Sequence, residues 1–177
     1  EVSGSQPEHG SVNAITPLND GTYLEALSPD PSELHATKFA AQAIASLPAP
    51  KISMFVVTGT PIEEAVERAR AAGLNVGEPK ADRRERPDGS MLSWTTLQLF
   101  NTPFGFSVPF FVDWSDGVHP TRGSDAVAEV ESFSVIHPQA DELASLYEKL
   151  GIPARVEGGV EPSFRLALRN ERGLATF

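Results

Sequence analysis

The hydrophobic positions of the chain change period several times, and each change marks an element. Residues 1–10 are polar, carry Gly and Pro, and read as loop. Val12 to Leu18 and Thr22 to Leu27 read as strands. The Asn19-Asp20-Gly21 between them is a turn, because these residue types tolerate positive φ. Period-two alternation puts Tyr23, Glu25 and Leu27 on one face and Leu24 and Ala26 on the other. Both faces are largely apolar, so Glu25 is expected on a strand covered on both sides. Residues 32–47 follow a helical period through Leu34, Lys38 and Ala41, with Ser32 and Glu33 at the start.

From Lys51 the pattern forms a longer unit. Ile52 to Val57 is a strand. Thr60-Pro61 followed by Glu63-Glu64 opens a helix: threonine caps, proline takes the first position and the acids face the positive end. Ile62, Ala65, Val66, Ala69 and Ala72 form its apolar stripe, Gly73 ends it, and Leu74 to Val76 is a short strand. Residues 78–86 are dense in charge and read as a solvated loop. Two β-rich runs, 90–100 and 108–114, then flank a connection with Gly, Asn and Pro, which is a hairpin signature. In the second run Pro109, Phe111 and Asp113 share one face, expected to be the wetter, and Phe110, Val112 and Trp114 share the other.

After a linker over 115–130 the unit recurs. Phe133 to Ile136 is a strand and His137-Pro138 opens a helix. Leu143, Leu146, Tyr147 and Leu150 form the stripe, and Gly151 stops it. Residues 152–157, 164–168 and 174–177 are further strands. A shift of 78 residues lays Gly151 on Gly73, Phe133 on Phe55 and Ile152 on Leu74. Residues 12–27 resemble the closing hairpin of an earlier copy, whose strand and helix would precede residue 1. The chain is therefore expected to lack its true N-terminus. The order predicts an α+β chain in three modules: 1–50, a remnant of the first; 51–130, the second with its linker; and 131–177, the third. An odd number of modules leaves one without a partner in the chain, which suggests a homodimer.

Composition narrows the function classes. A net charge of −10 argues against nucleic acid and anionic membranes as partners, and no run is long and apolar enough to span a bilayer. With no cysteine there is no disulfide, zinc–thiolate site or cysteine nucleophile. No signal-like segment is seen, and a cytoplasmic location is expected. Gly-rich phosphate loops, H-E-x-x-H and G-x-S-x-G are absent. Both tryptophans and five of the ten phenylalanines lie between Pro87 and Trp114, more aromatic area than one sheet face needs. Tyr23, Trp94, Phe111 and Trp114, with Arg86 for an anionic group, are the candidates to line a pocket for a small molecule.

The words His9-Gly10-Ser11-Val12-Asn13-Ala14 and Gly21-Thr22-Tyr23-Leu24-Glu25 are similar to the "H-x-G-T-x-N-x-L … G-x-Y-L-E" region of glyoxalase-like proteins. Pro87-Asp88-Gly89, Leu92-Ser93-Trp94, Pro109 to Trp114 and His119-Pro120 resemble later words of that branch. Together with the repeated β-α-β-β-β order, they make the chain resemble the vicinal oxygen chelate superfamily. Ser11 departs from the usual threonine, and the spacing before the asparagine is compressed. The resemblance implies curved mixed sheets around a cavity, and Glu25 as metal ligand or general base. A divalent ion (Zn, Mn or Fe) would draw on Glu25, Asp113, His9 and His119, which are suitable in type but scattered over four segments. The family's first-strand histidine is expected to lie before residue 1, and the equivalent strands of the later modules, Ser53-Met54-Phe55-Val56 and Phe133-Ser134-Val135, carry no histidine. The functions implied are a metal-assisted lyase or isomerase, a dioxygenase-like enzyme, or a metal-free protein that sequesters a small molecule.

Overall fold

The computed structural model describes residues 2–6, 10–31, 42, 44–85, 89–114 and 117–177. Strands β1 (Val2–Gln6), β2 (Ser11–Pro17) and β3 (Tyr23–Pro29) form one antiparallel sheet in that order. The β2–β3 hairpin closes through Asn19-Asp20-Gly21, where Gly21 takes φ 72° and the Leu18 amide donates to the Thr22 carbonyl at 2.8 Å. β1 replaces the expected loop. Its Ser/Gly-rich sequence has little strand propensity, and pairing with β2 imposes the conformation, with a register shift between Val2 and Gly4. The expected helix over 32–47 falls largely outside the described residues; near its end Gln42, Ile44 and Ala45 are helical.

The second block comprises β4 (Val56–Thr58), helix α1 (Ile62–Ala71), β5 (Asn75–Val76), β6 (Lys80–Glu85), β7 (Met91–Leu97), β8 (Leu99–Phe100) and β9 (Phe110–Asp113). β4, β9, β7 and β6 make a mixed sheet in that spatial order, with β4 parallel to β9. The charged run expected as loop is β6. Its acids and bases suit an edge strand, where charge deters further pairing. Residues 52–55 are not strand. Thr60 does not cap α1: Pro61, at φ −55° and ψ 138°, is the N-cap. β7 and β9 pair antiparallel as the hairpin pattern predicts, while β8 leaves to pair with β5.

The third block is β10 (Glu129–His137), α2 (Ala140–Leu150), β11 (Arg155–Gly158), β12 (Ser163–Asn170) and β13 (Gly173–Thr176). Its sheet order is β11-β10-β12-β13, with β10 and β11 parallel. The two blocks thus share the order strand, helix, strand but differ in pairing: β4 lies beside β9, whereas β10 lies beside the strand that follows its helix.

The core lies where the two helices meet the sheets. Val57, Leu97, Phe111 and Val135 from the strands pack with Ala65, Ala69, Leu143, Tyr147 and Leu150 from the helices. Under the shift of 78 residues, Ala65, Ala69 and Ala72 match Leu143, Tyr147 and Leu150, so one stripe is small where its counterpart is large. That difference suits close approach of the two helices. The matched pair Phe55 and Phe133 meet directly, with ring centroids 5.2 Å apart. The first sheet is tied to the third block: Leu18 bridges Ala128, and Asn19 Oδ1 accepts from the Val130 amide at 2.8 Å. Among the described residues no helix is long and apolar enough to cross a membrane.

Candidate functional site

Strand alternation aims one face of the first sheet at one face of the second. In the β2–β3 register Ile15 opposes Glu25 and Pro17 opposes Tyr23, so Asn13, Tyr23 and Glu25 share a face. On β6, Lys80, Asp82 and Arg84 alternate onto one side; Asp82 opposes Trp94 and Arg84 opposes Leu92. Thr95 opposes Asp113, which brings Trp94 and Trp114 side by side, their ring centroids 5.5 Å apart.

Asn13 joins the two faces. Its Nδ2 donates to Glu25 Oε1 at 2.6 Å, and its Oδ1 accepts a long contact of 3.4 Å from Arg84 Nη1. The amide therefore stands between a guanidinium and a carboxylate, each held by the end it prefers.

The linker supplies the remaining wall. Gly117 returns the chain over β7, its amide donating to the Trp114 carbonyl at 2.9 Å. A Cβ there would sit 2.3 Å from the Ser93 carbonyl oxygen, so only glycine fits so close to the strand. This path places His119 against Trp114 (centroids 5.9 Å) and Tyr23 (5.7 Å), edge-on to both. His119 Nδ1 lies 2.9 Å from Thr121 Oγ1 and accepts from the Thr121 backbone amide at 3.4 Å. An amide can only donate, so Nδ1 is an acceptor and the neutral ring carries its proton on Nε2.

Burial sets the electrostatics of this seam. The Tyr23 hydroxyl is pushed up to about 12, first by burial and then by the Glu25 charge, against the pull of Arg84. Burial also lowers His119 below its ordinary value, which favours the neutral ring. Two buried donors, Arg84 Nε and Trp114 Nε1, have no hydrogen-bond partner among the described residues. A shallow open hollow of about 340 Å³ lies at the β6–β7 edge beside the seam, lined by Ala81, Asp82, Arg83, Ser93, Trp94 and Thr95.

Of the residues singled out from sequence, the fold gathers Tyr23, Glu25, Trp94, Trp114 and His119. Glu25 is exposed at the rim, not on a doubly covered strand, because β3 is an edge strand. Phe111 is 1% exposed in the core beside the helices, and Asp113 alternates onto that same side of β9. The Asp113 face is therefore not the wetter one: helix packing claims it. His9 and Arg86 lie outside the described residues. The fold adds Arg84, Gly117 and Thr121 to the gathered residues, and gives Asn13 of the first motif a place between two charges. No apolar alternation along 80–84 marks Arg84 in the sequence; its pairing partner β7 places it.

The described residues do not fit a divalent ion. No three His, Cys, Asp or Glu among them are placed to hold one. Glu25 Oε1 is engaged by Asn13, and the Arg84 guanidinium already brings positive charge to the seam.

A family model described as a glyoxalase-like domain matches residues 2–151. A crystal structure of a hypothetical protein from Staphylococcus aureus is similar in fold, with a TM-score of 0.68 at 16% identity over 99% of this chain and 88% of that one. No curated protein matches.

Proposed function

Because the chain belongs to the glyoxalase-like domain family, within the vicinal oxygen chelate superfamily, we propose that the seam between its first two sheets binds a small organic molecule. The observation that carries this reading is the continuous aromatic wall Tyr23–His119–Trp114–Trp94, assembled from two separate sheets and a linker. A core built only for stability is served by the helix-side cluster. A second aromatic cluster that also contains a guanidinium, a carboxylate and a histidine suits ligand recognition.

The form favoured is binding that does not depend on a metal ion, since Arg84 brings positive charge to the place a cation would take. Catalysis is the second reading, and one observation favours it: Glu25 Oε1 is oriented by Asn13 at the exposed rim, where a base of a lyase or isomerase could meet substrate. No step through a metal is derived for it.

Thermal shift against small aromatic and aliphatic compounds, without added metal, tests binding. A ligand at about 100 times its Kd adds roughly 2.7 kcal/mol of stability. Every hit should also change tryptophan emission, because Trp94 and Trp114 are both of the chain's tryptophans and both line the seam. Hits that leave the emission unchanged, or that bind a Trp94→Phe variant equally well, would place the ligand elsewhere. If turnover of a hit is found, Glu25→Gln should abolish it and leave binding intact.

A further inference from the structure

The seam contains two N–H groups with no acceptor among the described residues. Arg84 Nε and Trp114 Nε1 are buried and unpartnered. An unmade buried donor costs about 1–3 kcal/mol, and more when it is charged. Such atoms in a native fold call for an account, and an acceptor from outside the chain is the simplest one.

The two donors stand along one run of neighbouring side chains. Arg84 lies close enough to Tyr23 for its charge to act on the hydroxyl. Tyr23 meets His119, and His119 meets Trp114. Two nearby acceptors are engaged elsewhere: Asn13 Oδ1 faces Arg84 Nη1, and Glu25 Oε1 takes Asn13 Nδ2. The His119 Nδ1 acceptor is turned to Thr121, which leaves the ring's N–H as a further donor.

We propose that the ligand is a small organic monocarboxylate with an apolar or aromatic body. Its carboxylate takes the Arg84 Nε and Trp114 Nε1 hydrogens, and its body lies against Tyr23 and Trp94. The inference rests on the reading of the seam as a small-molecule site. One negative charge fits better than two, because Glu25 stands one amide away from Arg84 and would repel a dianion such as phosphate. The chain's net charge of −10 opposes any anion at long range, so selectivity must come from these local donors.

Tryptophan emission reads the seam directly, so the probes are benzoate and phenylacetate, each titrated beside its amide, benzamide or phenylacetamide. Each carboxylate is expected to bind about tenfold tighter than its amide, a difference of about 1.4 kcal/mol. Arg84→Gln should weaken the carboxylates by about tenfold and the amides little, and Trp114→Phe should weaken the carboxylates several-fold. Amides that bind as tightly as the acids, or carboxylate affinity unchanged in Arg84→Gln, would overturn the carboxylate assignment and leave the small-molecule reading standing. Silence with all four probes would overturn both. If circular dichroism shows that Arg84→Gln does not fold, the acid-against-amide comparison on the unaltered protein decides.

Discussion

Raising the pH probes the seam through its tyrosine. The chain has two tyrosines. Tyr23 is held up to about 12 by burial and by Glu25, and burial raises Tyr147 as well. An unfolded tyrosine ionises near the ordinary value of 10.0. At about pH 11 such a group is roughly nine-tenths tyrosinate, whereas one at 12 is roughly one-tenth. Tyrosinate absorbance should therefore be close to nil in the native protein and near its full value in urea at the same pH. The acid form is the one the fold favours, so this stability is fully present below pH 10 and lost as pH climbs towards 12. For Tyr23 the difference corresponds to roughly 2–3 kcal/mol.

Two variants separate the causes. Glu25→Gln removes the second of the raising influences and should lower the Tyr23 value, but leave it above 10 because burial remains. Arg84→Gln removes the one opposing charge and should raise it. Fast pH jumps with circular dichroism as a control keep unfolding out of the signal. Two tyrosines ionising near pH 10 in a protein with native circular dichroism would refute the claim that Tyr23 is buried in the seam. Shifts of the same sign in both variants would refute the placement of the two charges.

Leu143 is 0% exposed where α2 meets the strands, so Leu143→Ala should cost about 2–5 kcal/mol, read as a fall in the urea midpoint with unchanged slope. Tyr147 donates its hydroxyl to the Ser107 carbonyl inside the core; Tyr147→Phe should cost about 1–3 kcal/mol, and an unaltered midpoint would deny that bond. Gly117→Ala forces the linker off β7 and should redden the tryptophan emission as Trp114 loses His119; an unchanged spectrum would count against the path described. Burial depresses the His119 value, so its stability contribution is present above pH 6.5 and lost as pH falls through the depressed value. Its imidazole resonance, assigned with His119→Asn, should titrate below 6.5.

The parts of the fold legible in sequence are those whose cause is local. α2 could be read from the Leu143, Leu146, Tyr147, Leu150 stripe and from Gly151, which takes φ 70° at the C-cap. The first hairpin could be read from Asn19-Asp20-Gly21. β6 could not, because Lys80 to Glu85 is a strand only by virtue of β7 beside it. Nor could the difference between the blocks, since whether β4 takes β9 or its own following strand as neighbour is a long-range choice. The same division runs through the site. Tyr23, Trp94, Trp114 and His119 stand out by type. Arg84 sits in a charged run that usually faces water, and what turns it inward is a second sheet about 70 residues away in sequence.

That separation explains why an asparagine stands at the centre. Had Arg84 met Glu25 directly, the pair would have neutralised itself and used up the guanidinium. Asn13 accepts from one and donates to the other, so the two charges are tied to one another without touching. Reversing its amide would set NH₂ against the guanidinium and oxygen against the carboxylate, so the charges themselves fix its orientation. The guanidinium is thereby steadied through Nη1, while Nε meets no acceptor among the described residues. β2, β3 and β6 each give one member of this chain of contacts, so docking of the first hairpin on the second sheet and assembly of the seam are one event. Whatever loosens the hairpin should loosen the donors with it.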